Sequence, residues 1–158
     1  MVAVVPFIRV QAEDFDASAE IASLTKGRAD IGAIVTFTGL CRDEGGTLAS
    51  LELEHYPGMA EAEMQRIALQ AIERWPVQYL LAIHRVGKIA PGGNIVLVIA
   101  ASPHREAAFS AASYLMDFLK TNAPFWKKEH LKDGTSGDWV DAKDKDDAAL
   151  RRLDEPLR

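Results

Sequence analysis

Apolar positions along the chain alternate between two periods, one suited to strands and one to helices. Val2–Val10 is rich in β-branched residues and predicts a first strand. Asp14 or Asp16 is placed to cap a short helix through Leu24, with Ile21 and Leu24 on one face and Gly27 to end it. The run Ile31–Gly39 predicts a buried strand, and the loop Leu40–Leu48 holds Arg42, Asp43, Glu44, Gly45 and Gly46. Leu51, Leu53 and His55 alternate with Glu52 and Glu54, which predicts a strand with one wet face.

From Met59 to Trp75 the period becomes helical: Met64, Ile67, Ala68, Ala71 and Ile72 recur three and four residues apart until Pro76 stops them. Val77–Val86 and Asn94–Ala101 predict strands separated by the turn Ala90-Pro91-Gly92-Gly93. Ser102-Pro103 predicts the start of a third helix, with serine as N-cap and proline as its first residue. Pro124 limits that helix to about Asn122. Phe125–Leu131 reads as a further strand, followed by a Gly-containing loop over Asp133–Asp138 and, beyond Asp141, a charged tail. With no internal repeat and no low-complexity linker, the expectation is one α+β domain over residues 1–141, with 142–158 as the tail.

Composition narrows the function. Of 158 residues 48% are hydrophobic, enough for a sizeable core and against global disorder. Asp plus Glu total 23 against 18 for Lys plus Arg, so no whole-chain positive field points to nucleic acid. A single cysteine, Cys41, leaves no intramolecular disulfide and no multi-thiolate metal centre. The apolar N-terminus is short, broken by Pro6 and without a leading charge, so it reads as a strand rather than a signal peptide. No run approaches the roughly 20 apolar residues of a membrane span, so the expected location is the cytoplasm, with no membrane partner.

Against that acidic background one segment is basic. Between Ser102 and Lys132, the residues His104, Arg105, Lys120, Lys127, Lys128, His130 and Lys132 outnumber Glu106, Asp117 and Glu129. Cations at a helix start oppose the helix dipole, so His104 and Arg105 imply a compensating anionic ligand. Lys120 falls in the last turn among Met116, Phe118, Leu119 and Phe125, where it also suits the dipole alone, and Lys127 shares a strand face with Phe125 and Glu129. Arg105 could instead pair with Glu106 or Asp117, and Lys128 and Lys132 read as solvated charges. His104 and Lys120 stand roughly 24 Å apart along a straight helix, too far for one small anion in one chain. Either the two ends serve separate sites, or two copies bring opposite ends together in a homodimer with composite sites. The histidines His55, His84, His104 and His130 lack metal-ligand spacing, so no metal site is expected. Cys41 reads as packing rather than as a nucleophile, and Trp75, Trp126 and Trp139 as core or interface aromatics.

With these segments laid out, the chain resembles the large, catalytic subunit of molybdopterin synthase, the MoaE family. The resemblance is carried by GAIVTFTGLCRDE from Gly32, LELEHYPGMAEAEM from Leu51, AIHRVGKIAPGGNIVLV from Ala82, SPHREAAFSAASYLMDFLKTNAPFWKKE from Ser102 and DGTSGDW from Asp133. It spans about Ile31 to Trp139. It implies an α/β hammerhead domain with three main helices and an antiparallel or mixed sheet. It also implies a homodimer of large subunits carrying two copies of a small ubiquitin-like (MoaD-like) sulfur carrier, a heterotetramer. The carrier's C-terminal Gly-Gly, as a thiocarboxylate, would donate sulfur to cyclic pyranopterin monophosphate (precursor Z), two transfers making the dithiolene of molybdopterin.

By the same resemblance Lys120 and Lys127 are the catalytic residues. Lys120 would stand beside the carrier's terminal carbonyl, and Lys127 would bind substrate and stabilise developing charge. Arg42, His104 and Arg105 would hold the substrate phosphate, the last two from the second subunit. Phe37 and Met116 would line the pocket, while Lys128, His84 and Arg85 are given structural roles. No cofactor is implied. The ending EPLR lacks Gly-Gly, so the carrier is expected to be a separate chain, with Arg151 and Arg152 as candidates for its interface. A non-catalytic adaptor for a ubiquitin-like tail and a thiol enzyme using Cys41 are the competing readings.

Overall fold

The computed structural model describes residues 3–141; Arg151, Arg152 and the rest of the tail expectation lie outside them. In chain order the elements are β1 (Phe7–Gln11), α1 (Ala17–Thr25), β2 (Ala33–Leu40), β3 (Leu48–His55), α2 (Met59–Arg74), β4 (Tyr79–Arg85), β5 (Gly87–Ile89), β6 (Asn94–Ser102), α3 (Arg105–Thr121), β7 (Phe125–Leu131) and β8 (Val140–Asp141). The strands divide between two sheets, ordered β1-β4-β6-β2 and β5-β3-β7-β8. In the first, β1 runs parallel to β4 while β4–β6 and β6–β2 are antiparallel; every pairing in the second is antiparallel. This is the α+β architecture expected.

The two central strands of the first sheet explain why their sequences read as unbroken apolar runs. Leu80 and Ala82 of β4, with Val98 and Ala100 of β6, face α2 and α3. The intervening Leu81, Ile83, Leu97 and Ile99 face the other side, where Leu24 and Ile21 of α1 cover them. Ala107, Ala108, Ala111 and Ala112 give α3 a small-residue face that packs on the sheet. A separate cluster of Cys41, Leu48, Leu53 and Ile89 sits under the second sheet.

Most boundaries follow local chemistry. Asp16 caps α1, its Oδ1 accepting from the Ala19 N–H at 3.1 Å. Val77–Val86 holds β4 as expected, and just past it, at Gly87 (φ +88°), the chain leaves the first sheet and enters the second as β5. Two expectations need correction. Ile31–Gly39 is not a buried strand: among the described residues β2 is the outer strand of its sheet, paired only with β6, and Thr36, Phe37, Thr38 and Leu40 are exposed. Ser102 is not the N-cap of α3. It is the buried end of β6, and its hydroxyl donates to the carbonyl of His104, which occupies the cap position without a side-chain cap bond.

Candidate functional site

The C-terminal end of α3 and the start of β7 meet over the seam between the two sheets, and there lies a narrow slot of about 170 Å³. Its walls are Phe37, Gly39 and Leu40 of β2, Leu51 and Leu53 of β3, His84 of β4, Ile95 and Val96 of β6, Met116, Leu119 and Lys120 of α3, and Phe125 and Lys127 of β7. The alternation in β3 that keeps Glu54 wet turns Leu51 and Leu53 inward, and the same period in β7 aims Phe125 and Lys127 together. Lys120 is the basic residue of the last α3 turn. The structure thus joins Met116, Lys120 and Lys127, which lie within twelve residues of one another, with Phe37 from a strand far away in sequence.

The slot adjoins a groove of about 520 Å³ whose far wall is the 41–47 loop, including Arg42, Asp43 and Glu44. Leu40, Leu51, Ile95, Lys120 and Lys127 border both spaces, so the two lysines stand where slot meets groove. Arg42 donates to the Glu44 carboxylate across an exposed pair, which is cheap to open for a competing anion. Lys132 is not simply solvated. Its Nζ donates to the Gly46 carbonyl at 2.9 Å, and its N–H to that of Thr47 at 2.8 Å, tying the loop to the end of β7. His130 bridges the Glu52 carboxylate (2.8 Å) and the Ser136 hydroxyl (2.9 Å), which fixes β7 against β3. Lys128 lies over the Trp139 ring, 5.5 Å from its centroid.

His104 and Arg105 are at the opposite end of α3, roughly 22–24 Å from Lys120 by helix rise. Neither of their side chains bonds to the described residues, so the suggested pairing of Arg105 with Glu106 or Asp117 is absent. Gly32 packs so tightly against this end that a Cβ there would meet the Pro103 carbonyl oxygen at 1.9 Å. Cys41 is 3% exposed, and burial pushes its thiol pKa up, away from the nucleophilic thiolate. Arg85 is structural, donating to the carbonyls of Ala12 and Asn94.

Sequence reasoning missed the leucines of β3, Ile95, Leu119 and Phe125 as slot walls, and took His84 as structural only. The polar break in the apolar run LLAIHR was the available signal for His84. A larger cavity of about 750 Å³ lies against α1 and β1, but its Arg9 and Arg28 are already paired with Glu20 and Asp30. Among the described residues no group of three or more His, Cys, Asp and Glu could hold a metal ion, and no helix is long and apolar enough to cross a membrane.

Comparison with known proteins agrees with this geometry. The profile described as MoaE protein matches residues 10–122. A molybdopterin synthase catalytic subunit from Mesorhizobium japonicum is 66% identical over 147 residues, covering 93% of this chain and 92% of that one. Its counterpart from Brucella melitensis is 65% identical over 151 residues, covering 96% and 93%. The solved molybdopterin biosynthesis MoaE protein from Burkholderia ambifaria superimposes with a TM-score of 0.78 at 45% identity, covering 96% of this chain and all 100% of that one. On the profile match and on identities this high over nearly the full length, the chain belongs to the MoaE family.

Proposed function

We propose that this chain is the catalytic, large subunit of a molybdopterin synthase. It transfers sulfur from the C-terminal thiocarboxylate of a small ubiquitin-like carrier subunit to cyclic pyranopterin monophosphate, building the dithiolene of molybdopterin. The observation that carries the reading is the convergence of Lys120 and Lys127 where the slot opens into the groove. The slot, at about 170 Å³, is far smaller than the roughly 300–1,000 Å³ usual for small-molecule sites. It suits an extended tail without side chains, which is what Gly-Gly offers. The groove, at about 520 Å³, falls inside that range and suits the pterin.

The reaction brings an anionic thiocarboxylate to a phosphate-bearing substrate, so its site must hold negative charge at two places. Lys120 and Lys127 meet the first: Lys120 beside the terminal carbonyl, Lys127 stabilising charge that develops during transfer. Arg42 serves the phosphate from the groove wall. His104 and Arg105 join it from a second copy of the chain, since within one chain α3 holds them a helix length away. Phe37 and Met116 close the slot against water. Residues 1–141 form the family domain in this reading, 142–158 a tail that contacts the carrier, and the cytoplasm is the place of work. No nucleic acid, membrane or cofactor enters the scheme.

Reconstitution tests it. Purified chain, thiocarboxylated carrier and cyclic pyranopterin monophosphate together should yield molybdopterin, detected as its oxidised fluorescent derivative, and omission of any one should yield none. Absence of product with a carrier that binds and retains its sulfur would leave the adaptor reading in place.

A further inference from the structure

His84 is the polar group on the slot wall that the sulfur-transfer scheme leaves idle. It shares the strand parity of Leu80 and Ala82, so its ring points toward the α3 face, where it stacks on Phe125 with centroids 3.8 Å apart and planes 12° from parallel. Its Nδ1 lies 2.8 Å from the carbonyl oxygen of Arg85. A carbonyl only accepts, so Nδ1 carries the proton and Nε2 keeps the lone pair. The ring is neutral: burial, aided by the nearby charges of His55 and Lys127 and opposed by the Arg85 bond, brings its pKa to about 4.

The slot's guest supplies the other half of the argument. A peptide tail brings carbonyl oxygens, which lysines can serve, and peptide N–H groups, which they cannot. Apart from Lys120, Lys127 and His84, the side chains lining the slot are apolar. An N–H buried there without an acceptor would weaken binding by about tenfold or more. We infer that Nε2 of His84 accepts the last peptide N–H of the carrier tail, setting how deep the thiocarboxylate sits against Lys120 and Lys127. The inference rests on the slot being the carrier-tail site, and it makes His84 a tail-binding residue with a consequence for specificity. A tail whose final peptide bond lacks N–H is rejected.

The test replaces that one N–H. Calorimetric titration of the full chain would compare a carboxylate-ended carrier with a semisynthetic carrier bearing an ester oxygen in place of the final peptide N–H. With the wild-type chain the ester should bind about tenfold more weakly. His84→Asn keeps an amide N–H for the Arg85 carbonyl but removes Nε2. It should bind the amide carrier about tenfold more weakly and the two carriers within about twofold of each other. An ester penalty equal in both proteins overturns the inference alone; a wild-type chain that binds neither carrier overturns the slot reading with it. Should His84→Asn fail to fold, the wild-type His84 Nε2 nitrogen resonance decides. It should move on binding the amide carrier and stay with the ester, and equal movement with both overturns the inference.

Discussion

A buried imidazole beside Phe125 resists protonation, and that resistance is a stability statement. The His84 pKa falls from 6.5 to about 4 on folding. Above pH 6.5 the ring is neutral folded or unfolded, and its contribution is fully present. As pH falls from 6.5 toward 4 the unfolded chain takes up a proton that the fold refuses, so stability drops, by roughly 3 kcal/mol in total. Urea unfolding at pH 7, 6 and 5 should show this slope in the wild type and a shallower one in His84→Asn; equal slopes would refute it. Turnover divides the lysines from the cysteine. Lys120→Ala should abolish product formation while carrier binding, read by titration, changes little; equal loss of both would favour an adaptor. Cys41→Ser should leave turnover intact and cost about 1–2 kcal/mol of stability in denaturant unfolding, because it puts a hydroxyl into the cluster under the second sheet. At this scale the candidate cations were legible because charge in an acidic chain is conspicuous. The apolar slot walls were not, since a leucine lining a slot and a leucine in the core have the same pattern.

Helix α3 enters against strand β2 with no room to spare. Gly32 donates its N–H to the Ser102 carbonyl at 3.1 Å, and a Cβ would overlap the Pro103 carbonyl oxygen. Gly32→Ala should therefore force the chain ahead of His104 and Arg105 to move, costing on the order of 2 kcal/mol or more in thermal or denaturant unfolding. At a permissive temperature it should raise KM for the pterin substrate more than it lowers binding of the carrier, whose slot lies at the other end of the helix. An unchanged melting temperature would refute the close approach. Most helix ends were legible from sequence because caps and prolines act locally, as at Asp16 of α1 and the break before Pro76; the start of α3 was not, since Ser102 closes β6 instead of capping the helix. The outer position of β2, the departure at Gly87 and the division into two sheets depend on which strand pairs with which. That is settled by partners distant in sequence, and an apolar run such as IGAIVTFTG looks the same in the middle of a sheet or at its rim.

Two copies of the chain, each supplying opposite ends of α3, would give the molecule sites that neither copy completes. Neither Lys120→Ala nor the double substitution His104→Ala/Arg105→Ala should then support turnover alone. Mixed and allowed to exchange subunits, they should recover about a quarter of wild-type activity, since half the dimers are mixed and each of those has one intact site. No recovery, with exchange demonstrated, would put both ends of α3 to separate uses. The same helix then acts as a gauge. Its 17 residues would fix both the spacing and the angular offset between the end proposed to hold phosphate and the end proposed to meet the carrier tail. One residue added within it would advance one end by about 1.5 Å and turn it by about 100°. By that geometry α3 could not grow or shrink by a single residue and still present both of its ends to their sites.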